Sequence, residues 1–369
     1  VKIVKAHWGR LRIPLRVPFK TALRTVDQVD DCVLRLSTDN GRHGYGSAAA
    51  TARITGETHG SIEAAWQEHL LPTLGGLDVR DWHAGVLSIQ RAMAFNGSAK
   101  AAVECALLDL AAQAAGVPLC GLFGGTCGVI YTDITISANP IEQMLRDVDH
   151  ALKAGYRTLK IKLGSDPLGD PDRIAEIARR IGPDVALRLD VNQAWNAQQT
   201  VSIMRQIESS GINAQLIEQP VPADAIDALA FIRARIATPL LADESVFNAR
   251  ELLALKTREA ADLVNIKLLK CGGPLQAIKL AELAETLGYR ALIGCMLESP
   301  IGVAAAAHVA MARPQVIVHA DLDAPALALS NPVQSNVRFM GPRIDVGNAP
   351  GLGIEKIEGW VPSQQMTLA

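Results

Sequence analysis

The feature that most constrains this chain is a beat of short apolar runs from Tyr131 to Leu322. The runs are YTDITIS, TLKIKL, ALRLD, QLIEQP, PLLADE, LVNIKL, ALIGCM and VIVHADL, alternating with amphipathic stretches, many closed by glycine. Matching positions at the ends of the second to eighth runs are Lys162, Asp190, Glu218, Asp243, Lys267, Cys295 and Asp321. They are 28, 28, 25, 24, 28 and 26 residues apart. A strand, a helix and two short loops fill that length, because a crossover between parallel strands needs a dozen or more residues. Eight such units predict a (β/α)8-type barrel over residues 126–324.

The flanks follow other rules. LRIPLRVPF and DCVLRLSTDNGRHGYGSA have strand character, the second folding back at Asp39-Asn40-Gly41. Helices are expected over GETHGSIEAAWQEHLLPTL, DWHAGVLSIQRAMA and SAKAAVECALLDLAAQAAG, the last begun by Ser98 and stopped by Gly116-Val117-Pro118. The glycine-rich GLFGGTCG marks a boundary near residue 125. The tail from Pro325 is rich in Pro, Gly and Asn and cannot form a ninth unit. The expectation is therefore an α/β chain: an α+β capping domain (1–125), the barrel (126–324), and a C-terminal return (325–369) that completes the cap.

Composition narrows the function. A formal net charge of −2 and the lack of a long basic run argue against a nucleic-acid partner. AAAAHVAMA is too short and its side chains too small to span a bilayer, so no membrane partner is expected. The opening VKIVKAHWGRLRIPL lacks the pattern of a secretory signal. Six cysteines (Cys32, Cys105, Cys120, Cys127, Cys271 and Cys295) show no CxxC spacing and are expected to be reduced thiols in the cytoplasm.

Chemistry is expected where strands end. In TLKIKLGSD, Leu159, Ile161 and Leu163 share one face while Lys160 and Lys162 share the other. In a closed barrel those ammonium groups point inward, toward the rim where barrel active sites form. Asp190, Glu218 and Asp243 end the next three strands, and Lys267 the sixth. A lone aspartate there, such as Asp243, could simply cap a helix. Three converging carboxylates repel unless they are protonated or hold a cation. All-oxygen ligation with open positions suits Mg²⁺, and no histidine or cysteine group at the rim competes for zinc. A nearby cation and a neighbouring ammonium would lower the pKa of Lys162 and Lys267, making them general bases on two sides of a metal-bound carboxylate.

The motifs KIK, LDVNQAW, EQP, ADES and NIKLLKCGG, in this order, resemble the enolase superfamily, muconate-lactonizing-enzyme subgroup. The resemblance covers nearly the whole chain, with Val191 standing where many members have a smaller residue. It implies Mg²⁺ on Asp190, Glu218 and Asp243, acid/base roles for Lys162 and Lys267, a supporting role for Lys160, and an ene-diolate intermediate. HADLDAP resembles the segment by which dipeptide epimerases, L-Ala-D/L-Glu epimerases among them, hold a substrate ammonium, implying that role for Asp321 and Asp323. GCMLES resembles the same group's seventh-strand motif, implying that Glu298 meets the peptide unit and Leu297 lines the side-chain pocket. Arg24, in the lid PFKTALRTV, resembles the arginine that pairs with a substrate glutamate. These likenesses imply a dipeptide as small-molecule substrate, epimerised at its C-terminal residue, in recycling of cell-wall peptides. Muconate cycloisomerase, o-succinylbenzoate synthase/N-succinylamino acid racemase and a non-catalytic metal- and ligand-binding barrel stay open, as does a homo-oligomer.

Overall fold

The eight apolar runs become eight parallel strands in the computed structural model, which describes residues 1–22 and 25–368. Among the described residues these strands are Ile134–Ile136, Thr158–Lys162, Ala186–Asp190, Leu216–Glu218, Leu240–Ala242, Leu263–Ile266, Arg290–Gly294 and Ile317–Asp321, hydrogen-bonded in chain order. The two edge strands meet. Leu322 N–H donates to Thr132 Oγ1 (2.7 Å), and Arg188 Nη1 donates to Asp133 Oδ2 (2.6 Å) and to the Ala320 carbonyl (2.9 Å). The sheet thereby nearly closes into a barrel.

Helices Ile141–Lys153, Asp170–Ile181, Ala197–Ser209, Ile226–Arg233, Ala249–Thr257, Pro274–Thr286 and Pro300–Ala312 fill the crossovers. Their apolar faces cover the outward side of the strands, so those strands are buried on both faces. The lysine strand shows this directly. Leu159 and Ile161 are fully buried on the outer face, while Lys160 (1% exposed) and Lys162 (7%) point inward. Register then lines up Lys162, Asp190 and Glu218 as direct neighbours.

The flanks make the cap. Ile3–Lys20, Thr25–Thr38 and His43–Ala49 form an antiparallel sheet, and Gln364–Thr367 from the chain's other end pairs with Lys5–Trp8. Helix Gly97–Ala115 packs on this sheet so closely that a Cβ at Gly46 would lie 1.9 Å from the Ala102 carbonyl oxygen. That helix does not start as its sequence suggests. Asn96, in the left-handed region, precedes it, and Ser98 lies inside it. Its first N–H groups are satisfied from elsewhere, Ser98 and Ala99 donating to Glu57 at 2.9 and 2.8 Å. YTDITIS also divides: Val129–Tyr131 joins Arg343–Val346 of the tail, and only Ile134–Ile136 enters the barrel.

Candidate active site

A cleft opens at the carboxyl ends of the barrel strands, beneath the cap. Lys160, Lys162, Asp243, Lys267, Asp321 and Asp323 line its floor, and Cys295, Met296 and Leu297 one wall. Phe19, Thr21, Arg53 and Ile54 close it from the capping sheet and the loop after it. Phe19 reaches Lys162, whose Nζ lies 5.8 Å from the ring centre.

The strand-end residues form one buried ion network. Lys160 Nζ lies 2.6 Å from Asp321 Oδ2, 2.7 Å from Glu218 Oε2 and 2.9 Å from Asp190 Oδ2. Lys162 Nζ donates to Asp190 Oδ2 (2.6 Å) and Asn192 Oδ1 (3.1 Å). Across the barrel Lys267 Nζ donates to Asp243 Oδ2 (2.7 Å), and Lys270 Nζ to Asp243 Oδ1 (2.6 Å). Asn265 Nδ2 donates to Glu218 Oε1 (2.9 Å). Asp190, Glu218 and Asp243 thus sit around one mouth, but each faces a lysine. Among the described residues, the carboxylates whose oxygens gather within 4.8 Å are instead Asp133, Asp321 and Asp323. That trio already has partners, since Arg188 holds Asp133, Lys160 holds Asp321, and Thr135 N–H donates to Asp323 Oδ2 at 2.7 Å.

Electrostatics follow this pairing. Burial alone would raise Asp190 and Asp243, but Lys160 and Lys162 outweigh it at Asp190, and Lys267 and Lys270 at Asp243, holding both carboxyls below the usual range. Burial and Asp190 push Glu218 up to about 7. The lowering expected of the lysines is tied to a bound cation; the protein's own charges act on Lys267 in the other direction. Burial disfavours its ammonium, yet Asp243 and Glu218 overcome that and raise its pKa, because carboxylates outnumber cations here.

The cavity also fits a divalent cation. Asp190, Glu218, Asp243, Glu244, Asp321 and Asp323 are buried at this mouth with Lys160, Lys162, Lys267 and Lys270, six carboxyls against four amines, and burial and that crowding raise Glu218 and Glu244 to about 7 and 8. Neither carboxylate oxygen of buried Glu244 has a hydrogen-bond partner among the described residues. Burial and then Asp243 hold the Glu244 carboxyl up, and a hard cation with oxygen ligands would offset the cost of ionising it there.

The substrate-side residues separate. Asp321, Asp323 and Leu297 line the cleft as expected. Glu298 does not. Its Oε1 accepts from Met296 N–H (2.9 Å), and its Oε2 lies where a Cβ on Gly302 would fall, next to Ser47. The carboxylate therefore turns toward the cap instead of a substrate. Arg24 lies outside the described residues. Arg53, Ile54, Asn192, Glu244 and Lys270 take part without having been singled out as site residues. Asn192, Glu244 and Lys270 stood within the quoted motifs, and Arg53 lies in ATARITGE, a lid segment that offers it without a firm role, whereas Ile54 carried no signal of its own.

Fold and site together define a capped (β/α)8 barrel with lysines and carboxylates converging at the strand ends. Residues 4–124 match the model for the mandelate racemase/muconate lactonizing enzyme N-terminal domain, and residues 143–359 that for the enolase C-terminal domain-like family. The chain belongs to the mandelate racemase/muconate lactonizing enzyme family of the enolase superfamily. It is 42% identical over 349 residues to the L-Ala-D/L-Glu epimerase of Clostridium acetobutylicum, covering 95% of this chain and 97% of that one. A substrate-liganded structure of the L-Ala-D/L-Glu epimerase from Bacillus subtilis superposes with a TM-score of 0.94 at 40% identity, covering 96% and 99% of the two chains. The dipeptide epimerase of Enterococcus faecalis, solved with Mg and the dipeptide L-Leu-L-Tyr, gives 0.92 at 34% identity over 96% and 100%.

Proposed function

We propose that this protein is a Mg²⁺-dependent dipeptide epimerase, acting on L-Ala-L-Glu and similar dipeptides by 1,1-proton transfer at the α-carbon of the C-terminal residue. The observation that carries this reading is the placement of Lys162 and Lys267. Lys162 ends the second strand and Lys267 directly follows the sixth of an eight-strand ring, four positions apart, so they stand on opposite sides of the mouth. One Nζ removes the α-proton while the other returns a proton to the opposite face, and the roles exchange for the other epimer.

Asp190, Glu218 and Asp243 would hold Mg²⁺, with Glu244 beside them. The cation would stabilise the charge that develops on the substrate carboxylate in the ene-diolate, and would draw Asp243 away from Lys267. Lys160 holds Asp190, Glu218 and Asp321 in place. Asp321 and Asp323 each keep a carboxylate on the cleft wall for the dipeptide's ammonium. By resemblance Arg24 would meet an acidic C-terminal side chain; Arg53, which lines the cleft, would add a second cation, and Leu297 would pack on the stem.

Muconate and succinyl-amino acids lack the ammonium that Asp321 and Asp323 are placed to hold, which weighs against cycloisomerase and racemase readings. Incubation of L-Ala-L-Glu with Mg²⁺ in D₂O tests the proposal: deuterium should enter the glutamate α-position. Lactonization of muconate without dipeptide exchange would overturn it. Exchange of both epimers that persists unchanged when Lys162 and Lys267 are both replaced by alanine would instead favour a barrel whose lysines do no chemistry. The cysteines, all unpaired, suit a cytoplasmic setting, where such an epimerase would serve recycling of cell-wall peptides.

A further inference from the structure

Three soft donors meet outside the barrel mouth. Cys120, on the short helix Leu119–Leu122, and Cys127, just before strand Val129–Tyr131, hold their Sγ atoms 3.2 Å apart. His308, from helix Pro300–Ala312, joins them, so that one ligand atom from each residue lies within 4.8 Å of the other two. The glycine-rich boundary segment makes this meeting possible. A Cβ at Gly125 would lie 2.5 Å from Ala312 Cα, and one at Gly128 would lie 2.9 Å from Met311 Cε. At Gly125 only bare backbone lets the segment rest on that helix, whereas at Gly128 the flexible end of Met311 could give way. Gly125 N–H donates to the Cys120 carbonyl (2.9 Å), and Arg313 Nη1 to the Phe123 carbonyl (3.0 Å), fixing the loop there.

His308 is 1% exposed. Its Nδ1 accepts a long hydrogen bond from Cys120 N–H (3.3 Å), and its Nε2 has no partner among the described residues. Burial lowers this imidazole to about 3, so it is neutral, the form that ligates metals. Burial and the neighbouring Cys127 push the Cys120 thiol up to about 12.

We propose that Cys120, Cys127 and His308 bind one Zn²⁺ ion that fastens the boundary segment to the barrel. Two sulfurs and an imidazole are a zinc-type donor set, unsuited to Mg²⁺. Two thiolates balance the charge of Zn²⁺, so the complex is neutral in a buried place where a net charge would be costly. Zn–S and Zn–N bonds of about 2.3 and 2.0–2.1 Å give tetrahedral edges of roughly 3.5–3.8 Å. The sulfurs would part by about half an ångström to reach them. Half-buried Cys127 leaves a fourth position for water. Binding replaces two S–H bonds by two S–Zn bonds and releases two protons, so affinity rises with pH.

Cobalt(II) is the probe, because thiolate ligands give a sulfur-to-cobalt charge-transfer band that carboxylates do not. The reduced full chain, in excess Mg²⁺ to cover the barrel mouth, is titrated with Co²⁺. The band should saturate at one equivalent, disappear on adding one equivalent of Zn²⁺, and be lost in Cys127→Ser. Zinc should raise the thermal midpoint of the parent but not of that variant. Absence of the band in a chain whose six thiols all react with a thiol reagent would overturn the site. So would a band that survives in Cys127→Ser, or purification with two thiols missing as a Cys120–Cys127 disulfide. The parent titration decides alone should the variant fail to fold.

Discussion

Lys162 Nζ stands 2.6 Å from Asp190 Oδ2, its direct neighbour at the end of the next strand. Proton carrier and proposed metal ligand are therefore one electrostatic unit. Asp190→Asn removes a charge from that unit and leaves the Lys162 ammonium with neutral oxygen partners. Mg²⁺ affinity, followed by calorimetry, should fall by about 10- to 100-fold or more, and α-proton exchange should fall with it. Unchanged affinity would exclude Asp190 as a ligand.

Binding should depend on pH through Asp323. Burial and the neighbouring Asp321 charge raise Asp323 to about 6, whereas Lys160 and Lys267 overcome burial to hold Asp321 at about 2. Below pH 6 Asp323 is protonated and neutral, and one of the two negative charges facing the substrate ammonium is gone. KM for a dipeptide should fall as pH rises through about 6, and Asp323→Asn should abolish that dependence. A KM that is flat between pH 5 and 7 in the parent would count against the assignment.

Lys160 is the common counter-charge of Asp190, Glu218 and Asp321. Lys160→Met leaves three buried carboxylates without it, and urea denaturation should show a loss of about 3–5 kcal/mol. Excess Mg²⁺ should recover more stability in the variant than it adds to the parent. Equal Mg²⁺ effects in both chains would show that cation and ammonium act on separate groups.

Glu298 offers a test of orientation. Its carboxyl, facing the cap, is raised to about 8 by burial and then by Asp31, itself at about 6 because of burial. A folded pKa above the ordinary carboxylate value means that this group's contribution is intact below about pH 4 and lost as pH rises toward 8. Glu298→Gln should leave stability unchanged near pH 4 and raise it at pH 8 by about 4 kcal/mol. Its kcat/KM should stay within about threefold of the parent; a loss of a hundredfold would return Glu298 to the substrate.

Much of this was legible because a parallel barrel repeats. Period-two alternation places Lys160 and Lys162 inward, and unit spacing puts Asp190, Glu218, Asp243 and Lys267 at one rim. What stayed hidden depends on contacts between distant segments. Arg53 and Ile54 reach the cleft only because the cap folds over it. Glu298 turns away because Gly302, a residue of the following helix, lacks the Cβ that would exclude it. Ser98 fails as a helix start because Glu57, 41 residues away, does the capping. The raised pKa of Lys267 reflects a surplus of carboxylates that spacing alone could not weigh against the cation.

The central claim is that Lys162 and Lys267 serve opposite faces of one α-carbon. It is tested most directly by following α-deuterium uptake from D₂O into L-Ala-L-Glu and L-Ala-D-Glu, separately, with Lys162→Ala and Lys267→Ala. The account predicts that neither variant interconverts the epimers at more than about a thousandth of the parent rate, and that each still exchanges only one epimer, a different one for each variant. Exchange of the same epimer by both variants would contradict it.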